Sequence, residues 1–144
     1  MRRYERTKVL TEGDPDIARR IAGEVEQAAA VKVVEAPREE LVMVKVRESA
    51  RRSLFYLGEA LMTSCRVDVD GTCGRGMVLG SDREAAYALA VADAAFSAAP
   101  GRFDTAAWEV LLEAEASRLA AEEAARFDAI AATKVDFSTM DGER

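Results

Sequence analysis

Leu61-Met62-Thr63-Ser64-Cys65-Arg66-Val67-Asp68-Val69, then Asp70-Gly71, then Thr72-Cys73-Gly74-Arg75-Gly76-Met77-Val78-Leu79-Gly80, is the run whose reading decides the fold. Leu61, Thr63, Cys65, Val67 and Val69 fall on one side of an extended chain, and Ser64, Arg66, Asp68 and Asp70 on the other. One packed and one wet face is the pattern of an antiparallel sheet. Asp-Gly tolerates the two positive φ angles of a type I′ turn, so a tight hairpin is predicted. With a two-residue turn, Cys73 lies opposite Asp68 and Cys65 opposite Gly76, which sends the two thiols to opposite faces and predicts free cysteines. A three-residue turn would shift that register and put both thiols on one face. Gly74 and Gly76 in the return strand indicate a bulge or a close backbone approach.

Downstream, Ser81-Asp82-Arg83-Glu84 reads as a capping box with Ser81 at the cap, and loss of that hydroxyl is expected to cost about 1 kcal/mol. The helix it opens spans 82–98 and stops before Pro100-Gly101. Asp104 or Thr105 caps a last long helix over 104–132, with Trp108, Leu112, Ala116, Leu119, Phe127 and Ile130 as its apolar stripe and Glu109, Glu113, Glu122 and Asp128 elsewhere. Its many alanines leave room for another helix to come close, and residues 133–140 carry apolar side chains expected to dock.

Upstream, Phe55-Tyr56-Leu57-Gly58-Glu59 extends the first hairpin strand to 55–69. Val31–Glu35 and Leu41–Arg47 are β-branched runs separated by the turn-like Ala36-Pro37-Arg38-Glu39-Glu40, and read as two strands. Glu48 to Ser53 is a surface connection. Asp14-Pro15-Asp16 starts a helix carrying Ile17, Ile21, Val25 and Ala28 on one face, and residues 2–10 form a short earlier one. The expected class is α+β. An antiparallel sheet of about four strands (31–35, 41–47, 55–69, 73–79) is joined by N-terminal helices and two C-terminal helices (82–98, 104–132) in a single domain over 1–144.

Composition narrows the chemistry. At 144 residues and 49% hydrophobic content, one domain is large enough to bury roughly 65–70% of its unfolded surface. The chain has no histidine and two cysteines, so it offers no imidazole base, no histidine-activated nucleophile, and neither a four-cysteine nor a two-cysteine, two-histidine zinc site. No metal site is expected. The net charge of −6 argues against nucleic acid as a general partner. No signal-type or membrane-length apolar run is present, and a cytoplasmic location is expected. Charge is uneven, +2 over residues 1–54 and −8 over 55–144, as suits a protein meeting more than one partner.

Arg47, Arg51 and Arg52, around Glu48 and Ser53, form the basic cluster outside the N-terminus. Guanidinium forks fit phosphate oxygens, which makes these three the candidate phosphate-binding residues; a solvated loop or an interface patch is the more economical reading. Glu59, Asp68, Asp70 and Asp93 are carboxylates available for acid–base work, but no paired spacing singles out two, and none is assigned as catalytic. Gly74 to Gly80 is glycine-rich before a helix, yet matches neither dinucleotide nor Walker spacing and reads as backbone geometry. Cys65 lies on the packed face without a histidine partner.

Leu41-Val42-Met43-Val44 followed by Arg47, Phe55-Tyr56-Leu57-Gly58-Glu59, Thr63 with Cys65, Gly76-Met77-Val78-Leu79-Gly80, Ala88-x-Ala90-x-x-Asp93-Ala94 and Ala132-Thr133-Lys134-Val135-Asp136-Phe137 resemble, in that order, the PhnG subunit family of the bacterial carbon–phosphorus lyase core complex. The resemblance spans about residues 40–140. It implies a small cytoplasmic subunit assembled with PhnI, PhnH and PhnJ, in two copies within a hetero-oligomer. It also implies participation in replacing the adenine of MgATP by an alkylphosphonate, giving α-D-ribose 1-alkylphosphonate 5-triphosphate. MgATP is then a substrate of the complex, the glycosyl transfer belongs chiefly to PhnI, and this chain binds no cofactor itself. The 48–53 connection has adjacent arginines where the family has a more glycine-rich loop, so no ligand role carries over to them. The alternative is a stand-alone anion-binding α+β domain using the Arg47, Arg51 and Arg52 loop.

Overall fold

The structure, a computed structural model, describes residues 1–133. The apolar segment expected to dock at 133–140 lies almost wholly outside the described residues. Helices α1 (Arg3–Glu12) and α2 (Pro15–Ala28) precede strands β1 (Val31–Arg47), β2 (Leu54–Val69) and β3 (Thr72–Leu79), and helices α3 (Arg83–Ser97) and α4 (Thr105–Ala131) follow. The strands form an antiparallel meander in the order β1-β2-β3. The α+β class is as expected, but the sheet has three strands, not about four.

The missing boundary is at Pro37. Segments 31–35 and 41–47 are one strand of 17 residues, whose pairing with β2 shifts between Val33 and Glu35 and again between Glu35 and Arg38. Each shift leaves one extra residue on β1, the geometry of a bulge. Because β1 is an edge strand, the absent N–H of Pro37 removes no ladder bond on its open side. A proline that reads as a turn is here absorbed as a bend.

The β2–β3 hairpin has the predicted register, with Cys65 opposite Gly76 and Asp68 opposite Cys73. Asp70 and Gly71 adopt φ of 50° and 84°, as a type I′ turn requires. Cys65 is buried, Cys73 is exposed, and both are free. The glycines mark close approach and not a bulge, since the β2–β3 ladder is unbroken. A Cβ on Gly74 would fall well inside contact distance of the Ala90 carbonyl oxygen, and one on Gly76 would meet that of Ala86. Helix α3 thus rests its Ala86, Ala90 and Ala94 side directly on β3.

Cap geometry corrects the reading of the α3 start. Gly80, at φ 85°, turns the chain off β3 and brings Asp82, not Ser81, to the N-cap, where its carboxylate accepts from the Ala85 N–H at 2.9 Å. Ser81 instead donates to Glu39 at 2.7 Å. Buried Thr63 completes this corner, donating to the Gly80 carbonyl at 2.6 Å and accepting from the Asp82 N–H at 3.2 Å. Asp14 and Asp104 cap α2 and α4 as read from sequence.

The core lies between the sheet and the helices. Ile21 and Val25 of α2, Cys65, Val67 and Val69 of β2, Val91 of α3, and Trp108 and Leu112 of α4 are all buried in it. The Trp108 ring packs edge-on to Phe96 at 5.6 Å and stacks with Phe103 at 6.0 Å, while its N–H donates to Glu24 at 2.6 Å.

Candidate functional site

The acidic side chains that looked available for chemistry are mostly structural. Asp93, nearly buried on α3, accepts two hydrogen bonds from Arg3 at 2.7 and 2.6 Å and the Arg75 N–H at 3.0 Å, tying α1 and the β3 edge to α3. Asp70 is held by Arg102 at 2.9 and 2.6 Å, and Asp68 accepts the Gly71 N–H at 2.9 Å. The residue that sequence reading missed is Glu115, buried on α4, which accepts the Asp14 N–H at 2.8 Å and two bonds from Arg118 at 2.9 and 2.6 Å. Those partners, the Arg118 bond first, pull its carboxyl down to about 2. Burial pushes the Cys65 thiol up, away from nucleophilic use, and its S–H meets the Glu35 carbonyl at 3.4 Å. Burial, with a 2.6 Å bond to Glu26, raises the Tyr87 hydroxyl to about 12. Among the described residues, no three His, Cys, Asp or Glu side chains come together as metal ligands.

What the body does not absorb is the far end of the sheet. The β3 ladder ends at Leu79 opposite Met62, with a last bond from the Gly80 N–H to the Leu61 carbonyl at 2.8 Å. Beyond it β1 and β2 continue alone, from Leu41 opposite Leu61 to Arg47 opposite Leu54. At about 3.3 Å per residue this two-stranded arm projects roughly 20 Å. Register sorts its side chains. Val42, Val44 and Val46 share one face with Ala60, Gly58 and Phe55, and no charge lies among them. Leu41, Met43, Lys45 and Arg47 share the other with Leu61, Glu59, Tyr56 and Leu54. Leu57 is the extra residue where the register shifts between Val44 and Lys45, and it is 67% exposed. Leu41, Val42, Met43, Leu54, Phe55, Tyr56 and Leu61 are exposed as well. A bare two-stranded ribbon is marginal in water, and an apolar patch of this extent marks an interaction surface.

The three candidate phosphate-binding arginines sit at the tip of this arm. Glu48 organises the loop, accepting from the Arg51 N–H at 2.9 Å and the Ser53 hydroxyl at 3.1 Å, while its own N–H donates to the Ser53 carbonyl at 3.1 Å. Arg47 donates to the Arg52 carbonyl at 2.7 Å, and Arg52 takes a positive φ of 54°. Lys45 lies 5.5 Å from the Tyr56 ring centre, a cation–π contact on the same face. The structure thus brings the arginines onto one exposed loop, with one of them engaged by the loop's own backbone. Two recesses of the body lie elsewhere, one beside Leu10, Ala18 and Met77, the other between α1 and α4. No helix among the described residues is long and apolar enough to cross a membrane.

Two comparisons bear on this arrangement. The family model described as phosphonate metabolism protein PhnG matches residues 1–142. A protein of Rhizobium meliloti (strain 1021), named alpha-D-ribose 1-methylphosphonate 5-triphosphate synthase subunit PhnG, is 39% identical over 111 residues, which cover 76% of this chain and 69% of that protein.

Proposed function

The chain belongs to the PhnG family of phosphonate metabolism proteins, and from that premise we propose that it is a non-catalytic, cytoplasmic subunit of a ribose 1-alkylphosphonate 5-triphosphate synthase assembly. PhnI-, PhnH- and PhnJ-like chains are its partners, with two copies of this chain in the hetero-oligomer. The assembly exchanges the adenine of MgATP for an alkylphosphonate, and the nucleotide and metal bind on the partner side. The observation that carries this reading is the division of the molecule. Asp68, Asp70, Asp93 and Glu115 are engaged in holding the body together, and the chain has no histidine to act in their place. A large apolar surface meanwhile stands free on the arm. The stand-alone anion-binding reading has less support, because Arg47, Arg51 and Arg52 occupy a projecting tip instead of a recess.

Reconstitution tests it. Adenine release from MgATP and methylphosphonate is measured with the partner subunits alone, with this chain alone, and with all together. Release only from the complete mixture is the expected result; release by this chain alone, or full release without it, refutes the proposal.

A further inference from the structure

Resting on that reading, we propose that the arm from Leu41 to Leu61 is a clasp, seated in an apolar cleft with an acidic rim on a different subunit of the same assembly. Three observations converge. The face of Val42, Val44, Val46, Phe55 and Ala60 is free of charge and has no layer of the described residues over it at its tip, where Phe55 is 44% exposed. Among the described residues the β2 edge is also unpaired past Leu61, since β3 has ended. An unpaired edge beside an apolar face is a liability that a protein blunts or covers, and here neither proline nor bulge interrupts β1 from Leu41 to Val44 or β2 from Leu61 to Gly58. Among the described residues nothing supplies that cover, and a surface on another chain would.

Charge identifies the occupant's chemistry. The segment Lys45–Ser53 carries Lys45, Arg47, Arg51 and Arg52 against Glu48, a net of +3 in a chain whose total is −6. A cationic tip on an apolar stem fits a cleft that is apolar within and carboxylate-bearing at its mouth, where guanidinium groups pair bidentately and steer approach. A second copy of this chain fits less well. The two-fold contact of identical copies is self-complementary and sets arm beside arm, and Glu48, the carboxylate of the Lys45–Ser53 tip, is engaged within its own loop, so a second arm offers the cationic tip no acidic rim.

The test is co-purification of the full chain with co-expressed PhnI-, PhnH- and PhnJ-like subunits from the same source. Val42→Asp with Phe55→Asp, both at exposed sites, places charge on the uncharged face; Arg51→Glu with Arg52→Glu reverses the tip; Val110→Asp, at an exposed position of α4, is the control. Each free variant is first checked for unchanged helical signal and thermal midpoint, which the exposure of these sites predicts. The face variant is expected to lower recovery of partners at least about tenfold, the loss of one central contact. The tip variant is expected to weaken assembly and flatten its salt dependence. The control is expected to assemble like the wild type. Wild-type assembly matched by both arm variants overturns the clasp and leaves the proposed function standing. Failure of the wild type itself to assemble overturns both. A stable dimer of the isolated chain that the face variant makes monomeric overturns the choice of occupant.

Discussion

The same two strands, β1 and β2, behave differently at their two ends. From Thr63 to Val69, β2 alternates buried and less buried residues, because α3 covers one face and β3 holds one edge. From Leu54 to Leu61 it carries apolar side chains on both faces, almost all exposed, and its outer edge has no partner among the described residues. Alternation reports a face closed by the chain itself, whereas apolar residues on both faces of a ribbon report a covering that the described residues do not supply.

Glycine substitutions break that comparison most strongly. Gly76→Val forces β3 away from the α3 backbone and is expected to cost about 3 kcal/mol or more in urea unfolding, since the obstructing atoms are backbone and cannot swing aside. Gly58→Val on the arm meets nothing within 4 Å and is expected to change stability by less than about 0.5 kcal/mol. Equal effects would erase the distinction between body and arm. Val67→Ala, fully buried, is expected to cost about 2 kcal/mol, and Leu41→Ala, 64% exposed, close to nothing in the free chain. At the corner where body meets arm, Asp82→Ala is expected to cost about 1 kcal/mol and Ser81→Ala less than half of that, measured by thermal unfolding.

Acid sharpens the comparison by acting on the body. The Glu115 carboxyl is held at about 2 in the folded chain, against an ordinary value near 4.5 once unfolded. Its contribution is therefore complete above about pH 4.5 and is lost progressively as the pH falls through 2. Glu115→Gln is expected to be less stable than the wild type at pH 7, with the gap narrowing between pH 4.5 and 2. A constant gap in a denaturation series across that range would assign the effect to packing alone.

Much of this was legible in the sequence, for definite reasons. Asp70-Gly71 fixes its turn through backbone conformation alone, so hairpin register and thiol placement followed from local chemistry. Asp14 with Pro15 fixes the α2 start in the same way. Pro37 misled because its effect depends on whether its strand lies at an edge, a tertiary fact. Ser81 and Asp82 are both competent caps, and only the turn at Gly80 decides between them. Glu115 gave no local sign of its burial, since its pairing with Arg118 is an ordinary i,i+3 contact and its other partner, Asp14, lies 101 residues away. The arm did leave a trace. A strand read as 55–69 against a return strand of 73–79 leaves the residues before Met62 without a β3 partner, so unequal strand lengths were the sign of the projecting ribbon.

Hydrogen exchange on the free chain and on the assembled complex tests the central claim most directly, by comparing the Leu41–Leu61 amides with those of Thr63–Val69. The body amides are expected to be protected in both states. The arm amides are expected to exchange quickly in the free chain and to slow by at least about tenfold on assembly, as for a marginal ribbon that gains a cover. Arm exchange that is the same in both states would contradict the account.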